Sequence, residues 1–392
     1  MPHILETYAL NCGVKINKPF IYEQYYPVGV EKYITLHSSS ESQSKQYDYW
    51  DEVVDYIKSP LSKEGIGIVQ IGEASDRGIR NCTWTQGTAS FNQTPFILKN
   101  SMLHVGVNNY ESSIASHYGV KMVVLCPNQY AASSGPYWSN EENAKVFESV
   151  SEDRKPSFSV VENPKTINEI YPEKIAQSIL DLLGIDYKIP YQTVFIGDNY
   201  SSMNIQTVPS SPAQTSSEVT LIVRMDLEFN EQVLAHQASL GKCGIVTEKP
   251  IDTDLLSYIK PNIENLIYIL DENEDLNFVK FLHENGIKHA LMTDMEGEKL
   301  DKMKLKYLDY GFIFQRRTSD KDMDKIKEVP MDFLHFKTRK KIFQDGNVYN
   351  SVFDLKRDKK ASDINDFSFS KVEDADDFWE SLEDYYIVKK FD

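Results

Sequence analysis

The sequence predicts an α/β protein of two doubly wound domains, and three observations lead to it. From about residue 31, short β-branched runs alternate with amphipathic stretches, the pattern of parallel strands with helices on both faces. A second series of the same kind starts near residue 219. Between them, residues 200–218 (YSSMNIQTVPSSPAQTSSE) are rich in Ser, Thr and Pro and poor in large apolar side chains, which is linker composition. At 392 residues and 41% hydrophobic content, the chain is long enough to bury two cores.

In chain order, residues 1–30 read as an extended N-terminal segment and 31–190 as the first domain. KYITLH (32–37) is its first strand, and DYWDEVVDYIKSPLSKEG (48–65) a helix stopped by its glycine. IGIVQIG (66–72) and RNCTWTQG (80–87) are extended, and FNQTPFILKN (91–100) is a short helix. MLHVGV (102–107) and KMVVLCP (121–127) are strands around the helix YESSIASHYG (110–119). Residues 167–185 place Ile170, Ile175, Ile179, Leu182 and Leu183 at helical spacing and close the unit. The linker spans 191–218, and the second domain 219–328 holds five strand-like runs: VTLIVRMD, KCGIVTE, NLIYILDE, KHALMTD and GFIFQRR. The C-terminal extension 329–392 ends in DDFWESLEDYYIV (376–388), read as a helix packing back on the body through Phe378, Trp379 and Tyr386. No repeat of 20 to 50 residues is present, which excludes solenoids and propellers.

Charge narrows the function classes. Lys+Arg 42 against Asp+Glu 59 gives a net charge of -17, which opposes recruitment of polyanions such as nucleic acid or an anionic membrane. The one basic run, KTRKK (337–341), reads as a solvated face or, alternatively, a local groove for DNA bases. Cys12, Cys82, Cys126 and Cys243 lack metal or disulfide spacing and suit reduced thiols. With no apolar run long enough for a membrane span and no leader pattern, the expected setting is soluble and cytoplasmic.

In open parallel sheets, ligands collect where loops follow the carboxyl ends of strands and helix N-termini present N–H donors. Ser38, Ser39, Ser40 and Lys45 follow the first strand and Gly72 ends the second. Thr88 and Ser90 lie in TQGTAS, and Asn108, Asn109, Ser112 and Ser113 follow MLHVGV. Asn128 opens the loop CPNQYAASSGPYW. These small hydroxyls and amides either hold a diphosphate without a glycine-rich fingerprint or cap the following helices. Four consecutive loops of this type aim at one edge.

In this order the residues carry a family resemblance. LHSSSESQSKQYDYW (36–50), QGTASF (86–91) and VGVNNYESSIASHYG (105–119) resemble, in sequence, the nucleotide-sugar-binding half of heptosyltransferase-like glycosyltransferases of family nine. The family's Gly-x-Asp-Ser-Gly-x-x-His signature is met here by Asn108, Asn109 and Tyr110 in place of Asp-Ser-Gly and by Ser113 in place of the His, with His117 one turn on. The resemblance implies two Rossmann-like domains facing each other, GT-B-like, with the donor half first in the chain. It also implies a metal-independent, inverting sugar transfer from a nucleotide-diphosphate sugar to an unidentified hydroxyl acceptor, with no bound cofactor.

VTLIVRMDLEFNEQVLAHQ (219–237) is similar to the phrase that opens the family's acceptor domain: Arg224 matches its Arg, while Asn230 falls on the catalytic Asp. Asn cannot take a proton, so a base would come from Asp226, which sits just past a strand end, or from Glu231. The alternative for Asp226 and Asn230 is helix capping, and for Arg224 a structural ion pair. DTD (252–254) opens a helix, where acidic residues favour the dipole, and is not taken as a metal motif. A second function class stays open: a binding protein that keeps the fold without the chemistry.

Overall fold

The computed structural model describes residues 2–148, 155–201, 203–210, 221–272, 274–315 and 320–391. The chain divides into two compact units, Met1–Tyr191 and Gln192–Asp392.

The first unit runs α1 (Ile4–Asn11), β1 (Tyr33–His37), α2 (Trp50–Lys63), β2 (Gly67–Ile71), β3 (Thr83–Trp84), α3 (Thr94–Lys99), β4 (Leu103–Val107), α4 (Tyr110–Tyr118), β5 (Lys121–Cys126), α5 (Ala131–Ser134), β6 (Ala144–Glu148) and α6 (Pro172–Leu183). Among the described residues its six strands are all parallel, in the order β3-β2-β1-β4-β5-β6. The chain therefore winds outward from β1 in one direction, then returns to wind outward from β4 in the other. Right-handed crossovers then place helices on both faces. On one face Val69, Ile71, Met122 and Val124 pack with Ile97 and Leu98 of α3 and Ala115 of α4. The alternate residues Ile34, Leu36, Ile68 and Val105 are equally buried, on the face where α2 and α6 pack together.

The first thirty residues are not wholly extended. His3 caps α1: its Nδ1 accepts from Leu5 N at 3.2 Å, and Glu6 accepts from His3 N at 3.3 Å. The other ring nitrogen of His3 lies 2.9 Å from Gly135 O. A capping box at the very start of a chain, pinned by a partner 132 residues away, supplies the order that composition does not display.

The second unit runs β7 (Tyr191–Ile196), which starts at the last residue of the first unit, then β8 (Asn204–Thr207), β9 (Leu221–Arg224), α7 (Glu231–Leu240), β10 (Cys243–Thr247), α8 (Thr253–Ile259), β11 (Ile263–Leu270), α9 (Leu276–Glu284), β12 (His289–Thr293), α10 (Gly297–Lys306), β13 (Ile313–Gln315), α11 (Asp320–Lys327), β14 (Leu334–Thr338), β15 (Lys340–Gln344), β16 (Asn347–Tyr349), α12 (Val352–Lys356), β17 (Ser370–Lys371), α13 (Asp376–Trp379) and β18 (Tyr385–Lys390). The span read as a linker thus holds two strands, β7 and β8; its residues 211–218 lie outside the described residues.

The main sheet has the order β13-β12-β11-β10-β9-β8-β15-β16, parallel except for the β15–β16 pair. From β9 to β13 each strand is laid beside its predecessor in the same direction, so the right-handed crossovers all fall on one side. Leu234, Leu256, Phe278 and Met303, one from each of α7 to α10, accordingly share a single core with Val223, Ile245 and Tyr268. This departs from the double winding expected for 219–328, and it leaves the other face of the sheet without those four helices.

The C-terminal region forms a second sheet, β17-β14-β18-β7, with β14 antiparallel to both neighbours. The expected helix at 376–388 is only four residues long; after a 3-10 turn at Leu382–Asp384 the chain becomes β18. Tyr385, Tyr386, Ile387 and Val388 are all fully buried. A run that is apolar at every position suits a strand buried on both faces, whereas a surface helix would expose part of it. Phe378 still packs inward, against Phe336, Phe353 and Tyr385.

Cys12, Cys82, Cys126 and Cys243 are all free thiols. Among the described residues, no helix is long and apolar enough to cross a membrane.

Candidate functional site

Two regions hold the residues singled out from the sequence. The first is the switch point between β1 and β4, where the winding direction reverses and the carboxyl ends of both strands leave a crevice. β1 ends there in His37. Its Nδ1 is in hydrogen-bond contact with Asn109 Nδ2 and lies 3.4 Å from Glu111 Oε2, while its Nε2 lies 3.9 Å from Asp76 Oδ2. Glu111 is almost wholly buried, and its Oε2 accepts no hydrogen bond among the described residues. Burial pushes the Glu111 carboxyl above its ordinary range, with the His37 imidazole and the Tyr110 hydroxyl working against the rise. An imidazole held between two carboxylates at a strand end is an arrangement suited to moving a proton.

Gly72 makes this geometry possible. Its φ is +143°, and a Cβ at this position would stand 2.1 Å from Asp76 Oδ2 and 3.3 Å from a ring carbon of His37. Asp76 is anchored by accepting from Glu73 N at 2.8 Å. Gly72→Ala must displace Asp76 and adopt a strained backbone, with an expected loss of about 2 kcal/mol in a urea melt at pH 7.

The other predicted residues of the first unit fall into four groups. Lys45, whose burial lowers its ammonium pKa, donates to Asn108 O at 3.5 Å, and Asn108 Nδ2 donates to Ser134 O at 2.8 Å. Ser38 accepts from Gln70 Nε2 at 2.8 Å, and Ser39 and Ser40 continue the same half-buried loop. These line the crevice side of the sheet. Asn109, Ser112 and Ser113 form the cap of α4: Ser112 N donates to Asn109 Oδ1 at 3.2 Å, and both serine hydroxyls donate to Asn109 O. Asn128 donates to Ser44 Oγ and Ser159 O, tying the loop after β5 to the 157–162 segment. Thr88 and Ser90 sit apart from the crevice groups. Thr88 contacts Tyr26 at 2.7 Å, and Ser90 N donates to Gln93 Oε1 in the turn before α3.

The second region is a cavity of about 660 Å³ within the second unit, over the face of the main sheet that α7 to α10 leave open. Arg224 and Asp226 both line it. Arg224 Nε and Nη2 donate to the two oxygens of Asp226 at 2.8 and 2.6 Å, and Nη1 donates to Gln206 Oε1 at 2.6 Å. Glu231 does not line the cavity; its carboxylate accepts from Asp252 N at 2.8 Å, joining the starts of α7 and α8. Asn230 caps α7 by accepting from Val233 N, and Asp252 caps α8.

KTRKK is not a solvated face. Lys337, Arg339 and Lys341 are at most 4% exposed. Lys337 lies over the rings of Phe369 and Tyr386, and Lys341 donates to Asn350 Oδ1 at 2.5 Å and to Asp366 O, while Thr338, Arg339 and Lys340 line the cavity. A run in which three cations are buried and the fourth, half-buried Lys340, is paired with Asp384 presents no basic strip for DNA, so the groove reading loses its support.

Sequence reasoning missed His37, Asp76 and Glu111 at the first region and Asp384 at the second, and took Arg339 and Lys340 only as part of a basic run. A His as the last residue of a predicted strand was the one available signal. Among the described residues, no group of three or more histidine, cysteine, aspartate or glutamate side chains is arranged to hold a metal ion.

No family model matches the chain, and no curated protein matches it. Solved structures similar to it include a family 9 glycosyltransferase from Veillonella parvula, at 16% identity and TM-score 0.32, covering 45% of this chain and 50% of that one. The ADP-heptose LPS heptosyltransferase II of E. coli is similar at 14% identity and TM-score 0.31, covering 45% and 50%. E. coli heptosyltransferase WaaC with ADP is similar at 12% identity and TM-score 0.31, covering 45% and 54%. The chain thus spans about half the length of these structures. Two of the three are heptosyltransferases and the third is a family 9 glycosyltransferase.

Proposed function

We propose that this chain transfers a sugar from a nucleotide-diphosphate sugar to an acceptor hydroxyl, without a metal and with inversion. The donor is assigned to the first unit and the acceptor to the cavity of the second. The observation that carries the reading is the β3-β2-β1-β4-β5-β6 order, because its reversal brings the loop of Ser38 to Lys45 and the capped start of α4 to one crevice. There a diphosphate would meet a lysine ammonium, hydroxyls and helix N–H groups. The motif resemblance at 36–119 adds the sugar.

In this reading Asp226 is the base that takes the acceptor proton, and Arg224 positions it. Each oxygen of Asp226 accepts one guanidinium N–H and keeps a second lone pair for the acceptor hydroxyl, so the guanidinium can hold the carboxylate while the proton moves. Asp226→Asn is expected to lower turnover about a hundredfold while donor affinity, measured by calorimetry with a panel of nucleotide sugars, stays unchanged. Full turnover in that variant removes Asp226 from the chemistry, and no heat with any nucleotide or nucleotide sugar removes the transferase reading.

The second reading, a binding protein without catalysis, is favoured by one specific feature: both oxygens of Asp226 are already engaged by Arg224. It predicts no sugar transfer in wild type under any donor that binds.

A further inference from the structure

We propose that the cavity of the second unit binds an uncharged, hydroxyl-rich ligand, a neutral saccharide, and discriminates against sugar phosphates and uronates. Its identity as the acceptor rests on the transferase reading; its binding does not.

Three features of the lining lead to this class. The floor is apolar: Ile222, Val246, Ile267, Ile269 and Met292 stand on the open face, alternating along their strands with the core residues of the other face. Such a floor suits the C–H face of a sugar ring. The walls carry both charge signs in equal number: Arg224, Arg339, Lys340 and Lys356 are matched by Asp226, Glu248, Glu380 and Asp384. Three of the cations are held by carboxylates, Arg224 by Asp226, Lys340 by Asp384, and Lys356 at 3.9 Å from Glu380. Arg339 donates to Ser201 O at 3.0 Å and lies over the Tyr200 ring. With three of the four cations paired to carboxylates and both signs equal in number over the whole lining, the wall has little net field to select an ion.

The third feature distinguishes a hydroxyl from an anion. Asn204 lines the cavity, and its Oδ1 is buried without a hydrogen-bond partner among the described residues. A buried acceptor asks for a donor. A saccharide hydroxyl donates and accepts; a sugar phosphate or uronate keeps such hydroxyls but adds a charged group that brings only further acceptors beside Asp226 and Asp384, and that added charge is what the lining disfavours. The volume of about 660 Å³ lies inside the range of roughly 300–1,000 Å³ common for small-molecule sites.

Calorimetry and saturation-transfer NMR on the full chain, without nucleotide, test this with glucose, N-acetylglucosamine, lactose, maltose and sucrose against glucose 6-phosphate and glucuronate. The expected result is binding of at least one neutral saccharide, and weaker binding, by about tenfold, of the two anions than of glucose. Asn204→Leu should weaken that neutral ligand about tenfold, and Ser381→Trp, which fills the cavity from a surface turn, should abolish its signal; circular dichroism verifies that both variants fold. The proposal is overturned if no neutral saccharide binds, if either anion binds tighter than glucose, or if binding survives both substitutions. A nucleotide-sugar titration of the same variants keeps the two readings apart. Donor binding with no saccharide binding refutes only the cavity assignment, and the converse refutes only the donor site.

Discussion

Lowering the pH from 6.5 to 3 is expected to remove on the order of 5 kcal/mol of stability through His104 alone, and His104→Asn should flatten that part of the curve. His104 lies on β4 directly below the switch point, with its ring fully buried. Nδ1 is 3.1 Å from Thr35 Oγ1, and Nε2 has no hydrogen-bond partner among the described residues. Burial, with the charge of His37 as the lesser cause, lowers its pKa from 6.5 to about 3. Between those two values the unfolded chain binds a proton that the folded chain refuses. The contribution is therefore complete above pH 6.5, declines as the pH falls, and is gone near pH 3. Urea melts from pH 3 to 8 on wild type and His104→Asn measure it. The variant keeps a polar atom toward Thr35 and does not titrate, so the wild-type curve should fall relative to the variant's by on the order of 5 kcal/mol between pH 6.5 and 3; parallel curves would show that the imidazole is protonated in the fold or reaches water. Little room exists for such relief, because Gly106 packs so closely that a Cβ there would lie 3.3 Å from Nε2.

The first unit was largely legible because its signals are local. The Gly65, Gly119 and Gly184 stops, the apolar spacing of Ile175 and Ile179, and the short, mostly apolar runs of β4 and β5 each depend on a few neighbouring residues. Winding direction is not local. Nothing within α7 to α10 distinguishes helices that share one face from helices that alternate, so the open face of the second sheet, and the cavity over it, could not be read. The C-terminal segment misled for a related reason: Tyr385–Lys390 satisfies a helix pattern and a strand pattern alike, and pairing with β14 decides between them.

The sites divide in the same way. Asn109 was correctly placed at a helix start by its type and position, but that same position commits much of its hydrogen bonding to the cap. The relation of His37 to Asp76 and Glu111 spans 39 and 74 residues of sequence and exists only because β1 lies between β2 and β4. KTRKK misled because a lysine's exposure depends on its partners. Those of Lys341, Asn350 and Asp366, are ordinary polar residues with nothing to mark them in advance.

Replacing Arg224 by methionine is expected to destabilise the fold by about 4 kcal/mol, while Arg224→Met with Asp226→Leu should recover most of that loss. The side chains of Arg224 and Asp226 are 9% and 5% exposed, so methionine fills the stem's volume but leaves a carboxylate in a low-dielectric pocket without a countercharge, and Gln206 without its donor. Removing both charges removes the desolvation penalty together with the attraction, and the apolar floor of Ile222 and Val246 accepts the added carbon. Chemical denaturation of the three proteins measures it; a loss below about 1 kcal/mol for the single variant would mean that water screens the pair as at a surface. A double variant as stable as wild type has a further consequence. It would show that the fold does not need this ion pair, so a reason for placing it in a cavity would lie in what the cavity binds or does. Sugar transfer lost in a fully stable double variant would locate that reason in chemistry, and saccharide binding lost without any transfer in wild type would locate it in recognition.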